Sequence, residues 1–452
     1  MQAVPEPGVP TTGPAEHADL ERLLAAWMPA QRWFAGGAAH VPGVTITSDI
    51  ALSGPDPELR HLIADVRLGP ETVSYQVLVA FRANVPPELA GSVIGTLPDG
   101  RIACDGALDP GLATVLLRGI ADERTAAQLR FAREPGAVVD RDAAARILPA
   151  LASNTSIVFG DRAILKVLRR PSPGRHPDLE IPSALARAGS KLVPAPLGWI
   201  ELTGAEPTVL AIMSEFYAGA TDGWSLATAS MQAGQPDFSA QARLLGQATA
   251  RLHAELAAAF GTSTLSAAEL GAMARALEAD LAGAVAVVPE LRQYQAGVLA
   301  CYAELARPGS EVVVQRIHGD YHLAQVLSTG DGWVVLDFEG EPSVPLARRT
   351  AFAPAQRDVA GMLRSFDYAA RHQALRHPAD QRLASAAHAW VRRCQEAFLA
   401  GYAQAGGADP NLDQHLLRAL TYAKAVYEAG YEARHRPDWL PIPLAALAEA
   451  SQ

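Results

Sequence analysis

The sequence predicts an α+β chain of two lobes, the first rich in strands and the second rich in helices. Three observations predict it. Apolar runs bounded by turns occupy the first half, as in SYQVLVAFR (74–82) and SIVFGDRAILKVL (156–168). From about residue 238 the apolar spacing turns helical, with Leu244, Ala248, Leu252 and Leu256 four residues apart. Over 452 residues the composition is 49% hydrophobic and 19% charged, enough apolar material for a buried core in each lobe.

Taken in order, residues 1–18 read as a disordered leader: polar, Pro-rich, and without the basic and apolar regions of a signal peptide. A helix is expected from Asp19, with Leu20, Leu23, Leu24 and Trp27 on one face, closing at Pro29. The aromatic cluster Gln31-Arg32-Trp33-Phe34 follows, then strands at 43–51 and 62–82. The Pro-containing stretch 84–92 reads as a linker, which assigns a first subdomain to 19–90.

A second subdomain, 91–218, centres on the hairpin LASNTSIVFGDRAILKVLRR (151–170), turned at Gly160-Asp161. A helix from Pro177 to Ala188 and strands at 194–202 and 207–217 complete it. Gly219, Gly223 and Trp224 open a helical lobe, 219–452. EVVVQRIHGDYHLAQVL and GWVVLDFEGEP interrupt its helices as short apolar strands with polar loops. Helices resume after Arg357 and break at RPDWLPIP (436–443).

Several classes are excluded. The net charge is -10 with no long basic run, so nucleic acid is not an expected partner. No apolar run approaches the ~20 residues of a membrane helix. Cys104, Cys301 and Cys394 are too scattered for a metal pair or disulfide framework and read as reduced thiols of a cytoplasmic protein. G-x-x-x-x-G-K-[ST], G-x-G-x-x-G after a strand, H-E-x-x-H and G-x-S-x-G are all absent.

The residues that carry chemistry are His318-Gly319-Asp320-Tyr321-His322-Leu323-Ala324-Gln325 and, twelve residues past Gln325, Asp337-Phe338-Glu339. Phosphoryl transfer needs a carboxylate to orient and deprotonate an acceptor hydroxyl, and oxygen ligands for Mg²⁺ on the ATP phosphates. Protein kinases use an Asp, an Asn five residues on, and a metal-binding Asp at the next strand. Asp320, Gln325 and Asp337 reproduce that order. Each carboxylate alone reads as a loop cap or a surface charge; the spacing between two apolar strands is what points to chemistry.

A second constellation lies upstream. Lys166 sits inside the apolar strand AILKVL, and Glu180 follows fourteen residues later on the expected helix, as a phosphate-binding Lys and its anchoring Glu would. Without its partners this reads as a strand-edge Lys and a solvated Glu. Ser153-Asn154-Thr155-Ser156 precedes the strand and could cover phosphates with backbone N–H groups, although such clusters are most often plain turns.

HGDYHLAQVL, DFEGEP and RDVAGMLRSFDYAA resemble the maltokinases, relatives of aminoglycoside phosphotransferases and choline kinases. QRWFAG, SNTSIVFGDRAILKVLRR, PGRHPDLE and KAVYEAGYEARHRPDWLPIPL extend the resemblance from about residue 20 to 446. HGD alone marks the wider superfamily; DFEGEP with YEAxxRPxWLPIPL is far more specific. The sequence departs from the family pattern at Gly37, often Lys, and at Ala324, often Gly.

The resemblance implies a bilobal protein-kinase-like fold: an N-terminal cap fused to a strand-rich N-lobe, a mostly helical C-lobe, and ATP with Mg²⁺ in the cleft. It implies phosphorylation of maltose at the anomeric hydroxyl to maltose 1-phosphate, feeding α-glucan and glycogen synthesis, with trehalose synthase as an associated partner. Carried over by position, Asp320 is the base; Gln325 and Asp337 bind Mg²⁺, with Glu339 or Glu341 as a further ligand or loop brace. Lys166 and Glu180 anchor the nucleotide, and Glu215 lies where the hinge meets adenine. Sugar contacts fall to His318, Asp320, Lys424, Tyr427, Glu428 and Tyr431. Lys424, Tyr427 and Tyr431 share one helix face, where core tyrosines and solvated charges are the plain alternative. Asp358 is expected to cap the helix DVAGMLRSF and brace the catalytic loop.

Other readings use the same residues. A kinase of this fold could act on glucosamine, another amino sugar, trehalose or an aminoglycoside; an amine acceptor would favour extra carboxylates near Asp320, and Glu428 and Glu432 are available. A non-catalytic scaffold would be expected to lack Asp320, Lys166 or Asp337, and all three are present. Acyl or nucleotidyl transfer on the same scaffold is the remaining alternative.

Overall fold

A computed structural model describes residues 14–34, 41–54, 56–69, 71–149, 154–231, 237–306, 311–341, 346–376, 381–407 and 414–450. The chain divides into two units, Met1–Ser183 with Pro194–Ala218, and Ala184–Val193 with Gly219–Gln452. No helix of the described residues is long and apolar enough to cross a membrane.

The first unit opens with helix α1 (Pro14–Trp27), which starts earlier than the expected Asp19. Strands β1 (Val44–Ser53), β2 (Glu58–Leu68), β3 (Glu71–Arg82), β4 (Val93–Thr96) and β5 (Ile102–Asp105) form an antiparallel sheet of order β1-β2-β3-β5-β4. The stretch 62–82, expected as strand, is two strands turned at Gly69 (φ 62). Residues 84–92 do not end the subdomain, because β5 pairs back onto β3 from Val79↔Asp105 to Arg82↔Ile102. The first sheet therefore runs past residue 90, and the expected boundary fell inside it.

Both faces of this sheet are covered, so successive residues of β2 and β3 are buried on alternate sides. On one face Leu20 and Leu24 of α1, and Met28 just past its end, pack on Leu62, Ala64, Val66, Val77 and Val79. On the other, Leu59, Ile63, Leu78 and Ala80 meet Leu112 and Leu116 of helix α2 (Pro110–Ala121) and a second sheet. Asp109 starts α2 by accepting the N–H groups of Gly111 (2.8 Å) and Leu112 (3.2 Å).

The second sheet holds β6 (Thr125–Ala126), β7 (Leu129–Arg133), β8 (Ala145–Ile147), β9 (Thr155–Phe159), β10 (Ala163–Val167), β11 (Pro196–Leu202) and β12 (Thr208–Glu215), in order β6-β7-β11-β12-β10-β9-β8. β9 and β10 are the expected hairpin, and helix α3 (Pro177–Arg187) follows it. A buried polar seam joins the two sheets. Gln76 on β3 donates to the carbonyls of Leu168 and Leu210, both at 2.8 Å, and accepts His61 Nε2 at 2.8 Å. Arg169, fully buried under the Trp33 ring, donates to Thr155 Oγ1 (2.9 Å) and Asp105 (2.6 Å).

The second unit contains β13 (Thr221–Asp222), α4 (Gly223–Ser230), α5 (Ser239–Phe260), β14 (Thr262–Leu265), α6 (Ala267–Val287), α7 (Gln295–Ala303), β15 (Val312–Gln315), β16 (Val326–Thr329), β17 (Gly332–Val335), α8 (Leu346–Arg349), α9 (Gln356–Arg376), α10 (Gln381–Gln404), α11 (Gln414–His435) and α12 (Pro441–Ala450). On α5 the buried stripe runs through Leu245, Ala248, Leu252 and Leu256; Leu244, expected in it, is 50% exposed. Leu245 takes its place because α5 turns its glycine toward α10. A Cβ at Gly246 would lie 2.0 Å from the Phe398 carbonyl oxygen, and one at Gly401 would lie 2.0 Å from that of Arg243. The two helices cross backbone to backbone at these two glycines.

Candidate active site

In the first unit, Lys166 projects from β10 opposite Ser156 of β9. Its ammonium donates to Asp178 Oδ2 at 3.0 Å. Asp178 lies in the first turn of α3, as does Glu180, the expected partner, which stands 3.7 Å from Arg175. The helix begins at Pro177, and Asp178 reaches back over the strand. Thr155 is turned inward onto Arg169, which commits its hydroxyl; Asn154 and Ser156 remain half-buried, and Ser153 lies outside the described residues. Glu215 ends β12 with its side chain exposed, accepting the Tyr217 hydroxyl at 3.0 Å, and its N–H donates to the Ala195 carbonyl.

In the second unit, the loop between β15 and β16 carries His318 to Gln325. β16 and β17 pair antiparallel from Val326↔Val335, so the residue before β16 and those just after β17 emerge at the same end. That pairing explains the twelve-residue interval: Gln325 Nε2 donates to Asp337 Oδ2 at 3.0 Å. Asp337 adopts φ 64, a left-handed conformation rare outside glycine and typical of functional turns. Asp337 and Glu339 place carboxylate oxygens within 4.8 Å of each other. With the Gln325 donor committed to Asp337, its amide oxygen is left as an acceptor. These are hard oxygen donors, the set Mg²⁺ takes.

Asp320 stands in this loop with Lys424 of α11 donating to it at 3.3 Å and with His322 Nε2 3.8 Å away. Burial works against its charge, but Lys424, His322 and His318 hold its carboxyl below the ordinary range. Lys424 also donates to Glu341 at 2.8 Å. Burial opposes the lysine's charge too; Asp320, Glu341 and Glu428 outweigh it and keep the ammonium protonated well above its usual range. Burial pushes Glu428 up although Arg364 donates to it at 2.9 Å. Glu432 is tied to Arg436 (2.9 and 2.7 Å) and the Tyr368 hydroxyl (3.2 Å).

Two residues expected to contact the sugar are covered by neighbours, His318 wholly and Tyr431 in part. His318 is 1% exposed: Nε2 donates to the Leu336 carbonyl at 2.7 Å, Nδ1 accepts the Asp320 N–H at 3.3 Å, and its ring lies between Tyr321 and Phe338. Both nitrogens are committed to main chain, so it shapes the loop and has no donor for a sugar. Tyr431 has its faces toward Tyr427 (6.4 Å) and His435 (4.4 Å), with Arg436 also over it. Only its edge and hydroxyl are open to a ligand. Tyr427 lies under the Lys424 ammonium at 5.0 Å.

Asp358, at the start of α9, accepts the N–H groups of His318 (2.8 Å) and Gly319 (2.9 Å), the loop brace expected of it. Sequence reasoning missed Asp178, Arg364, His253 and Tyr402. Asp178 was readable as a first-turn acid. The others are polar groups on apolar helix faces, where sequence alone gives core packing as the plain reading.

Comparison with known proteins agrees with this arrangement. The phosphotransferase enzyme family matches residues 144–418, and the maltokinase N-terminal cap domain matches residues 27–109. The chain belongs to the phosphotransferase enzyme family. This phosphotransferase is 34% identical to a glucosamine kinase of Streptacidiphilus jiangxiensis over 316 residues, 66% of this chain and 71% of that protein. It is 31% identical to a glucosamine kinase of Mycolicibacterium smegmatis over 313 residues, covering 65% and 76%. A solved glucosamine kinase in complex with glucosamine, ADP and inorganic phosphate has a TM-score of 0.68 at 27% identity, covering 95% of this chain and 98% of that one. A further crystal form of glucosamine kinase has a TM-score of 0.70 at 26% identity, covering 94% and 98%. The phosphotransferase thus joins a cap-type first sheet to a kinase-like chain, as the resemblance implied.

Proposed function

We propose that this phosphotransferase transfers the γ-phosphoryl group of ATP to a hydroxyl of an amino sugar, with glucosamine as the acceptor. The observation that carries the acceptor class is the gathering of Asp320, Glu341 and Glu428 around one ammonium, Lys424. Arg364 offsets Glu428 and Arg357 stands 3.6 Å from Glu341, so the ammonium of the sugar would share these carboxylates with cations already in place. The likeness to glucosamine kinases over nearly the whole chain supports the same class.

In this reading the acceptor hydroxyl hydrogen-bonds Asp320, taking the place of the Lys424 contact, which is its weaker one; Glu341 retains the lysine. The hydroxyl oxygen bonds to the γ-phosphorus as the bond from that phosphorus to the β–γ bridging oxygen breaks, and the hydroxyl proton passes to Asp320. Because the transition state is loose, a carboxylate held ionised serves mainly by orienting the hydroxyl. His318 and Asp358 hold the loop in shape. Lys166, 3.0 Å from Asp178, is assigned to the phosphates. Gln325, Asp337 and Glu339 would hold Mg²⁺, which when bound neutralises phosphate charge.

A second reading is favoured by two observations: Lys424 already satisfies Asp320 and Glu341, and the cap is of maltokinase type. A neutral sugar, maltose phosphorylated at its anomeric hydroxyl, then fits; its product would feed α-glucan synthesis, with trehalose synthase as the source of acceptor. ³¹P NMR of the protein with Mg-ATP and, separately, glucosamine, maltose, glucose and trehalose decides. A sugar-phosphate signal with glucosamine is the expected result. A signal with maltose alone transfers the conclusion to the second reading, and none with any of the four overturns both acceptors.

A further inference from the structure

The aromatic cluster at 31–34 and a buried arginine meet beside the strand that carries Lys166, and no step of the proposed reaction uses either. Arg169 lies just past the end of β10. It is wholly buried, with its guanidinium 5.1 Å from the centroid of the Trp33 ring. Nη2 donates to Asp105 Oδ2 of β5 at 2.6 Å, and Nε donates to Thr155 Oγ1 of β9 at 2.9 Å. Asp105 and Thr155 are buried too, so solvent offers neither a substitute partner.

Arg169 thereby holds both strands of one hairpin to the first sheet. Val167 pairs with Thr155 and Lys166 with Ser156, so Thr155 opens β9 directly opposite the last residue of β10. Leu165 and Val167 face the core between the sheets, which leaves Lys166 on the opposite side of β10. Past Val167 the chain is held from the first sheet. Gln76 of β3 donates its main-chain N–H to the Arg169 carbonyl at 2.9 Å, and its side-chain amide to the Leu168 and Leu210 carbonyls at 2.8 Å. A strand gripped at its end does not slide along its axis, and a slide would carry Lys166 with it. A buried ion pair contributes little to stability that apolar residues of the same volume would not. What the guanidinium adds is geometry: a rigid fork of donors, one sent to the first sheet and one to the start of β9.

We propose that Arg169, locked by Asp105 and Trp33, is a positioning residue for nucleotide binding. By fixing both strands of the hairpin to the first sheet it sets the Lys166 ammonium and the main chain at 154–156 on the ATP phosphates. The inference rests on the reading of Lys166 and residues 154–156 as the phosphate-holding parts. It predicts a loss of affinity for the phosphates of the nucleotide, with recognition of its nucleoside retained.

The test measures binding of Mg-ATP and of adenosine to the full chain by calorimetry, together with steady-state kinetics. The variants are Thr155→Val, Thr155→Ser, Arg169→Met and Lys166→Met. Thr155→Val removes the hydroxyl that Nε meets and keeps a β-branched residue in the strand. It is expected to weaken Mg-ATP about 3- to 10-fold, with adenosine affinity and the KM of the sugar changed less than about two-fold. Thr155→Ser, which keeps the acceptor oxygen, should stay within about two-fold of wild type for both ligands. Arg169→Met should weaken Mg-ATP at least as much as Thr155→Val. Adding Thr155→Val to Arg169→Met should then cost less than about two-fold more, since both remove one contact. In amide hydrogen exchange, residues 155–158 should lose protection in Thr155→Val while β2 and α2 keep theirs. Mg-ATP affinity of Thr155→Val equal to wild type, equal losses for ATP and adenosine, or Thr155→Ser no better than Thr155→Val each overturns the proposal. If Arg169→Met does not fold, the two Thr155 variants decide by themselves. Lys166→Met separates the two levels. If it weakens Mg-ATP and Thr155→Val does not, the positioning role alone fails; if Lys166→Met leaves Mg-ATP affinity unchanged, the phosphate reading fails with it.

Discussion

Asp320 touches a lysine, a histidine and its own loop, and each contact makes a prediction at the scale of one residue. Asp320→Asn keeps the shape and removes the charge, so kcat should fall about 10²- to 10⁴-fold while ATP affinity, read by thermal shift with Mg-ATP, stays within about two-fold. Turnover near the wild-type rate would end the assignment. Lys424→Met separates the two acceptor readings. Lys424 is the leading charge that lowers Asp320's pKa, so its loss must raise that pKa and move the acid limb of kcat/KM to higher pH. If the acceptor carries an ammonium, the same variant should raise glucosamine over maltose by about ten-fold in kcat/KM, the equivalent of roughly 1.4 kcal/mol. An unchanged ratio would say that the ammonium of the sugar never shares these carboxylates.

At the scale of elements, the active-site residues of the second unit are positioned by where strands end and where helices touch. The β16–β17 hairpin sets Gln325 against Asp337, which is why the interval between them could be read from sequence: pairing is local and its register follows from the turn. The α5–α10 crossing could not be read, because it depends on which glycines of two segments far apart meet. Gly401→Ala should force those helices apart; overpacking of this kind costs roughly 1–3 kcal/mol, seen as a lower melting temperature, and turnover should drop along with it. A variant as stable and active as wild type would show that the crossing has slack. Helix periodicity was also informative only to within a residue. The four-residue stripe on α5 was right for Ala248, Leu252 and Leu256 and wrong for Leu244, because Leu245 and Gly246 are the residues turned toward α10.

For the molecule as a whole, the join between the first two sheets contributes to the response to acid. His61 is buried and its pKa is lowered from 6.5 to about 4, chiefly by burial, with the Gln76 hydrogen bond and Asp49 pulling the other way. The unfolded chain therefore binds this proton more readily. The contribution to stability is full above about pH 6.5 and is lost as pH falls toward about 4, on the order of 3 kcal/mol in all. His61→Gln should flatten melting temperature against pH over that window; an identical slope would place the acid sensitivity elsewhere.

The sequence by itself determined the fold class, the β9–β10 hairpin, the catalytic-loop spacing and the membership in a phosphotransferase family. Each is carried by short-range pattern, where strand period, turn residues and fixed intervals act within a few tens of residues. Tertiary structure alone decided that β5 returns to the first sheet, that Asp178 reaches Lys166, and that His318 is spent on main chain. It alone placed three carboxylates around Lys424 and His253 behind Asp358. These depend on distant segments meeting, and on burial, which makes each buried polar group take a partner without specifying from sequence which one it takes.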